Sequence, residues 1–192
     1  TPALDVESAE QRPDVMLSPA QLNAVRTVVD GSLSMYYLFG VTGSGKTEVF
    51  LRCAEEVISS GGQVIYLVPE ITLTHQLARQ VLKRFENNVA ILHSAMTDAQ
   101  RITQWRRIKN GEVSLVIGAR SAVFAPFENL KLIIIDEEHE NSYKSGNDPR
   151  YHARQVAQHR ISMCNGKLLM GSATPSLEAW NMMKDPSRML RL

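Results

Sequence analysis

An apolar run, Met35-Tyr36-Tyr37-Leu38-Phe39, feeds directly into Gly40-Val41-Thr42-Gly43-Ser44-Gly45-Lys46-Thr47. The eight residues fit G-x-x-x-x-G-K-[ST], the pattern of a loop that cradles a phosphate chain. The run before them has the length and composition of a strand. After them, Val49, Phe50, Cys53, Val57 and Ile58 fall at helical spacing as far as Ser59. Strand, glycine turn and helix in that order confine the chain to folds in which a sheet hands a turn to a helix N-terminus. A phosphate chain carries several negative charges, so such a loop must turn its backbone N–H groups inward. Gly43 and Gly45 permit those backbone angles and a close approach. A helix beginning at Lys46 adds free N–H groups and the positive end of its dipole. On this reading Gly40, Thr42, Gly43, Ser44 and Gly45 form the cradle for ATP, Lys46 reaches the β- and γ-phosphates, and the Thr47 hydroxyl ligates Mg²⁺. Lys46 is expected as a surface ligand outside the core.

A second stretch completes the first. Leu132-Ile133-Ile134-Ile135-Asp136-Glu137 is the most apolar strand in the chain and ends in two carboxylates. An apolar strand followed by an acidic turn ordinarily means solvated carboxylates. Beside a phosphate loop, the two halves make one site. Asp136 is expected to hold Mg²⁺ through water, because Mg²⁺ keeps several waters and suits one or two carboxylates plus phosphates. Glu137 is expected to orient and deprotonate the attacking water. Phosphoryl transfer needs chiefly positioning and charge neutralisation, which Lys46, Asp136 and Glu137 supply as the catalytic set.

The remaining pattern alternates strands and helices. Strands are expected over 64–68, 89–92, 115–117 and 167–170, and helices over 72–84, 98–109, 152–164 and 176–183. Leu73, Leu77, Val81 and Leu82 are expected to face inward from the first of these helices, and Leu22, Val25, Val28 and Val29 from a helix before the phosphate loop. Uniformly apolar strands separated by helices give an α/β fold: three αβα layers around a mostly parallel sheet, with ligands at the carboxyl ends of the strands. Residues 1–15 are polar, with two prolines, and are expected as a linker or disordered tail; 16–192 form one domain. The net charge of +1 announces no nucleic acid in bulk, so any such site must be a local patch. The two cysteines, Cys53 and Cys164, form no CxxC pair and support no zinc site; reduced thiols in a cytoplasmic protein are expected. No apolar run approaches the roughly 20 residues of a membrane span. Gln21 sits where it can complete a capping box with Ser18, and a glutamine upstream of a phosphate loop can instead read the adenine edge. Both roles stay open.

Asp136-Glu137-Glu138-His139 is a DExH box, and Gly171-Ser172-Ala173-Thr174-Pro175 follows it. Together they resemble the first motor lobe, RecA-like in fold, of a superfamily 2 helicase. Val68 to Thr74, Leu92-His93-Ser94, Ile117 to Ala122 and Pro149 to Arg154 narrow the match, and the chain from Leu17 onward resembles the primosomal protein N′ family of replication-restart helicases. The resemblance implies a 3′→5′ ATP-driven DNA helicase acting at stalled forks. It implies single-stranded and forked DNA, a second motor lobe, and primosome and single-strand-binding proteins as partners, in a nucleoid-associated bacterial cytoplasmic setting. It also implies zinc in that second lobe only, and little turnover by this lobe alone, since the other lobe supplies an arginine finger. The chain is expected to be a piece of a longer protein. Ala119 stands where threonine is more usual, so one hydroxyl contact to phosphate is missing. Another superfamily 2 translocase is the alternative, and a phosphate-loop switch or kinase is the alternative from a different class.

The resemblance further assigns His139, Ser172 and Thr174 to coupling the ATP site to DNA, and Thr74, Ser94, Arg120 and Ser121 to a phosphate track. Hydroxyls and one arginine suit sequence-independent phosphate contacts. The aromatic-rich segment after the box, with Tyr143, Lys144 and Arg150, is expected to be mobile over Ser145 to Asp148 and to sense a strand by stacking. Tyr151 and His152 can instead begin a helix and pack. Arg101, Arg106, Arg107 and Lys109 read as a solvated helix face, and Trp105 as core.

Overall fold

The computed structural model describes residues 16–182 and 184–192. The expected tail over 1–15 and the last residue of the expected C-terminal helix, Met183, lie outside the described residues. In chain order the elements are α1 (Pro19–Asp30), β1 (Met35–Phe39), α2 (Lys46–Ser59), β2 (Gln63–Leu67), α3 (His75–Phe85), β3 (Val89–Leu92), α4 (Asp98–Lys109), β4 (Leu115–Gly118), β5 (Leu130–Asp136), α5 (Ala153–Cys164), β6 (Lys167–Ser172), α6 (Leu177–Met182) and β7 (Met189–Arg191).

The strands form one parallel sheet in the order β3-β4-β2-β5-β6-β1-β7. Every helix-linked crossover places its helix on a sheet face, so both faces are covered and the strands are apolar throughout. Alternation along each strand sorts the core into two layers. Tyr36, Leu38, Val64, Tyr66, Leu132 and Ile134 pack with α1, α2 and α3. Tyr37, Ile65, Leu67, Ile133 and Ile135 pack with α4 and α5 on the other face.

The order of the strands positions the site. β6 lies between β1 and β5, with Phe39 in register with Ser172 and Asp136 with Gly171. Two strand spacings of about 4.8 Å therefore separate the turn after β1 from the turn after β5.

The expected elements need four corrections. The helix expected over 72–84 starts at His75, because Thr74 caps it and a single 3-10 turn, Glu70–Thr72, precedes it. Phe85 takes the buried position and Leu82, at 46% exposure, faces out; Leu22 is likewise 39% exposed. Trp105 is only half-buried. β7 pairs with β1 at the sheet edge and is only three residues long, Met-Leu-Arg, too short and mixed to carry a periodic signal.

Gly171 sets how closely α2 approaches the middle of this sheet. A Cβ there would stand 2.6 Å from Cζ of Phe50 and 3.0 Å from the carbonyl oxygen of Leu38. Neither atom can yield easily, since both residues are fully buried. Gly171→Ala is expected to lower stability by about 1–3 kcal/mol, read from the denaturant midpoint. An unchanged midpoint would mean the helix and sheet are not close-packed at this strand.

Candidate functional site

Gly43 and Gly45, at φ +82° and +85°, turn the chain through the left-handed region between β1 and α2. Gly45 occupies the cap position of α2, and no side chain caps the helix, so its first N–H groups face the loop. Lys46 is buried at 6% exposure, which corrects its expected placement on the surface. Its Nζ donates to the carbonyls of Gly40 at 2.8 Å and Val41 at 3.3 Å, within the turn. The hydroxyl of Ser44 is buried without a hydrogen-bond partner. Thr42 and Gly43 are exposed at the tip, and Thr47, the second residue of α2, is half-buried.

Gln21 uses both ends of its amide. Its Oε1 accepts from the Ser18 N–H at 2.8 Å and closes the capping box of α1, while Nε2 donates to the Ser44 carbonyl at 3.1 Å. Capping and contact with the phosphate loop thus coexist in one side chain.

At the end of β5, Asp136 is almost fully buried and accepts from the Tyr66 hydroxyl at 3.1 Å. Burial first, and the charge of Glu137 second, raise its carboxyl from 3.8 to about 6. Glu137 adopts φ +44°, an uncommon angle for a residue with a side chain. That turn points its carboxylate at Lys46, with Oε1 3.7 Å from Nζ. Its Oε2 accepts from the Ser172 hydroxyl at 3.1 Å. Ser172 Oγ in turn lies 2.6 Å from Nδ1 of His139 and accepts from the Thr174 N–H at 3.0 Å. The structure therefore brings Lys46, Asp136, Glu137, His139, Ser172 and Thr174 into one connected cluster across the ends of β1, β6 and β5.

One member was not foreseen. Glu138, the variable position of the box, has a fully buried side chain. It accepts from Arg154 Nη1 and, at 2.8 Å, from the Ser176 hydroxyl. The DExH pattern leaves its third position free, so the only sequence signal was a matching charge in the Pro149–Arg154 segment.

Tyr143 requires the plainest correction. It is 1% exposed, and its hydroxyl donates to the carbonyl of Asp136 at 2.6 Å and of Leu67 at 3.1 Å. Burial, with Asp136 beside it, holds the phenol protonated. A ring so enclosed cannot stack on a base. Tyr151 packs edge-on against Phe124, with centroids 5.0 Å apart, and the His152 ring caps α5 by accepting from the Arg154 N–H. The segment expected to be mobile is pinned at its base: Lys144 bridges to His152, and the Ser145 N–H donates to the Tyr151 carbonyl at 2.7 Å.

The other residues expected on a nucleic-acid track divide. Ser94, Arg120 and Ser121 line a cleft of about 640 Å³ at the ends of β3 and β4, with Trp105 and Arg101 on its α4 wall. Lys144 and exposed Arg150 border a separate hollow of about 520 Å³. Thr74 spends its side-chain oxygen as the cap of α3, accepting from the Leu77 N–H at 3.3 Å, and is not part of the cleft. Among the described residues Arg120 makes no ion pair; Nη1 donates to the carbonyls of Ser142 and Lys144.

Among the described residues, no helix is long and apolar enough to cross a membrane, and no His, Cys, Asp or Glu cluster could hold a metal by itself. Residues 18–182 match the model of the DEAD/DEAH box helicase family. The chain is similar to the replication restart protein PriA of Treponema pallidum, at 59% identity over 145 residues, covering 76% of this chain and 22% of that protein. It is similar to PriA of Bacillus subtilis at 48% identity, covering 84% of this chain and 20% of that protein. The chain thus spans about a fifth of the length of these relatives. In fold it is similar to RecG bound to a three-way DNA junction, with a TM-score of 0.66 at 24% identity over 92% of this chain and 24% of that one. The helicase MrfA bound to DNA is similar in fold too, with a TM-score of 0.65 at 19% identity, over 92% of this chain and 27% of that one.

The raised carboxyl of Asp136 has a measurable consequence in protein free of nucleotide and metal. A carboxyl whose folded pKa lies above its unfolded one favours folding most when protonated in both states, below about pH 4, and loses that contribution as pH rises through about 6. Asp136→Asn cannot titrate. Between pH 4 and 7 wild type is therefore expected to lose stability relative to Asp136→Asn, read as diverging thermal midpoints. Parallel midpoints across that range would mean that Asp136 is not desolvated.

Proposed function

The chain belongs to the DEAD/DEAH box helicase family, and we propose that it is the ATP-binding motor lobe of a replication-restart DNA helicase, one that moves 3′→5′ on DNA at stalled forks. The observation that carries this reading is the meeting of two halves of one site: Lys46 Nζ lies 3.7 Å from Glu137, which Ser172 links to His139. Family membership argues for ATP and DNA, and the likeness to PriA for replication restart.

ATP with Mg²⁺ suits this site on the evidence of its own atoms. The Ser44 hydroxyl lacks a partner, α2 lacks a side-chain cap, and the loop ends in a buried cation. Backbone N–H groups of residues 40–47, Ser44 and Lys46 would hold the phosphates, and Thr47 and Asp136 would hold Mg²⁺. The bound metal supplies charge neutralisation. Glu137 does the proton work. Its Oε2 is engaged by the Ser172 hydroxyl, which leaves Oε1 to accept a proton from the attacking water. Lys46 Nζ lies 3.7 Å from Oε1. His139 and Ser172 fix the direction in which Glu137 points, so a movement at the turn after β6 reaches the proton acceptor directly.

A single DNA strand would cross the ends of β3 and β4, with its phosphates against Ser94, Arg120 and Ser121 and continuing toward Lys144 and Arg150. Such contacts carry no sequence preference. On this reading the lobe works with a second motor lobe, with forked DNA, and with primosome and single-strand-binding proteins in the bacterial cytoplasm.

Two substitutions in the full-length protein test this. Lys46→Ala is expected to lower DNA-dependent phosphate release by about 10²–10³-fold, the scale of losing one aimed transition-state donor. Turnover within tenfold of wild type would remove Lys46 from the site. Arg120→Ala is expected to weaken oligonucleotide binding and to reduce the slope of log affinity against log salt by about one. An unchanged slope would take Arg120 off the strand.

A further inference from the structure

Tyr36, Tyr37, Tyr66 and Tyr143 all lie in the core. Tyr36 and Tyr143 spend their hydroxyls on backbone groups. Tyr66 donates instead to a carboxylate oxygen of the ATP site, Asp136 Oδ2, at 3.1 Å. The sheet dictates this reach. Tyr66 on β2 is in register with Ile134 on β5. Alternation puts Asp136 on the same face as Ile134, two residues or about 6.7 Å further along the strand. A tyrosine leaning along its strand spans that step, and an aliphatic side chain carries no hydrogen to offer at its end. The ring packs edge-on against Phe50 of α2, with centroids 5.8 Å apart. That packing needs the ring and not the hydroxyl. The Thr47 side chain is within hydrogen-bonding reach of the same hydroxyl.

We infer that Tyr66 is a positioning residue of the ATP site, whose hydroxyl holds the Asp136 carboxylate in the orientation that receives Mg²⁺ beside Thr47. The inference rests on the assignment of Asp136 and Thr47 to that metal. Asp136 is fixed at both oxygens, Oδ2 by Tyr66 and Oδ1 by the Glu137 N–H at 2.9 Å. A carboxylate has about four lone-pair sites, so each oxygen keeps one. Water on a metal donates, and those two sites accept. The phenol is fully buried, and burial keeps it protonated, so its part is that of a donor. Without it the carboxylate would be held at Oδ1 alone, free to turn about that one hydrogen bond. Groups that orient the partners of a metal are worth about 10–100-fold in metal affinity.

The test uses the full-length protein without DNA and a fluorescent, non-hydrolysable ATP analogue. Affinity is read in Mg²⁺ and in EDTA, and their ratio is the gain that Mg²⁺ brings. Tyr66→Phe keeps the ring against Phe50 and removes only the hydroxyl, and the thermal midpoint of each variant sets an assay temperature at which it is folded. In Tyr66→Phe the gain is expected to fall about tenfold, with the affinity in EDTA as in wild type. In Asp136→Asn the gain is expected to collapse. Adding Tyr66→Phe to Asp136→Asn should lower it no further, because the tyrosine acts through that carboxylate. A wild-type gain in Tyr66→Phe beside a lost gain in Asp136→Asn would overturn the inference by itself. So would affinities that fall equally in EDTA and Mg²⁺, which mark mere support of the loop, or losses that add in the double variant. A wild-type gain in Asp136→Asn would instead remove Asp136 from the metal, and the reading of the site would fail before the role of Tyr66.

Discussion

The Ser172 hydroxyl occupies the narrowest point of the molecule's chemistry. It lies 2.6 Å from His139 Nδ1, accepts from the Thr174 N–H, and donates to Glu137. It can do so because β6 runs between β1 and β5 in parallel register, which sets three strand ends side by side. A one-residue slip of β6 would turn Ser172 to the opposite face and leave Glu137 without its hydroxyl. The packing of Gly171 under Phe50 guards against that slip. Sheet topology and proton transfer are in this sense one constraint: the strand that separates the two halves of the site is also the strand that joins them.

Electrostatics at these strand ends works against folding and is tolerated for the site. Asp136 is desolvated beside a second carboxylate, so its proton is held to about pH 6. A nearby cation favours the charged form of such a group, and Lys46 acts on Asp136 in that sense. The opposite arrangement holds behind the phosphate loop. There Arg84 donates to both carboxylate oxygens of Glu48 at 2.8 and 2.9 Å and, from Nε and Nη2, to Glu55, tying α3 to α2. Charge is satisfied where it is structural and left in deficit where a ligand would complete it.

The legible part of this chain was the part written in the backbone pattern. Six of the strands, the glycine turn and the two carboxylates are visible because apolar runs and fixed spacings survive as text. What could not be read is where a side chain goes after it leaves the backbone. Tyr143 looks, in sequence, like any exposed aromatic of a basic loop, yet it lies in the core. Gln21 offered capping or an adenine contact; its amide closes the capping box at one end and holds the Ser44 carbonyl at the other. Thr74 has the chemistry of a phosphate contact and is spent on capping, since a helix N-terminus always offers a nearer donor. Glu138 hides in the free position of a motif, and its partner lies 16 residues away.

Glu137 shows how these unreadable contacts matter together. A glutamate at φ +44° carries a strain of about 1–3 kcal/mol, and such a residue persists only where its surroundings over-determine it. Both neighbours are fixed. Asp136 is held by Tyr66 at its carboxylate and by Tyr143 at its carbonyl, and it accepts the Glu137 N–H at 2.9 Å. Glu138 is clamped by Arg154 and Ser176. A buried ion pair of this kind adds little net stability, because desolvation consumes most of its attraction, but removing one partner leaves a costly unpaired charge. Its effect is therefore on direction. With residues 136 and 138 each locked, the chain between them has one way to pass, and that path turns the Glu137 carboxylate toward Lys46.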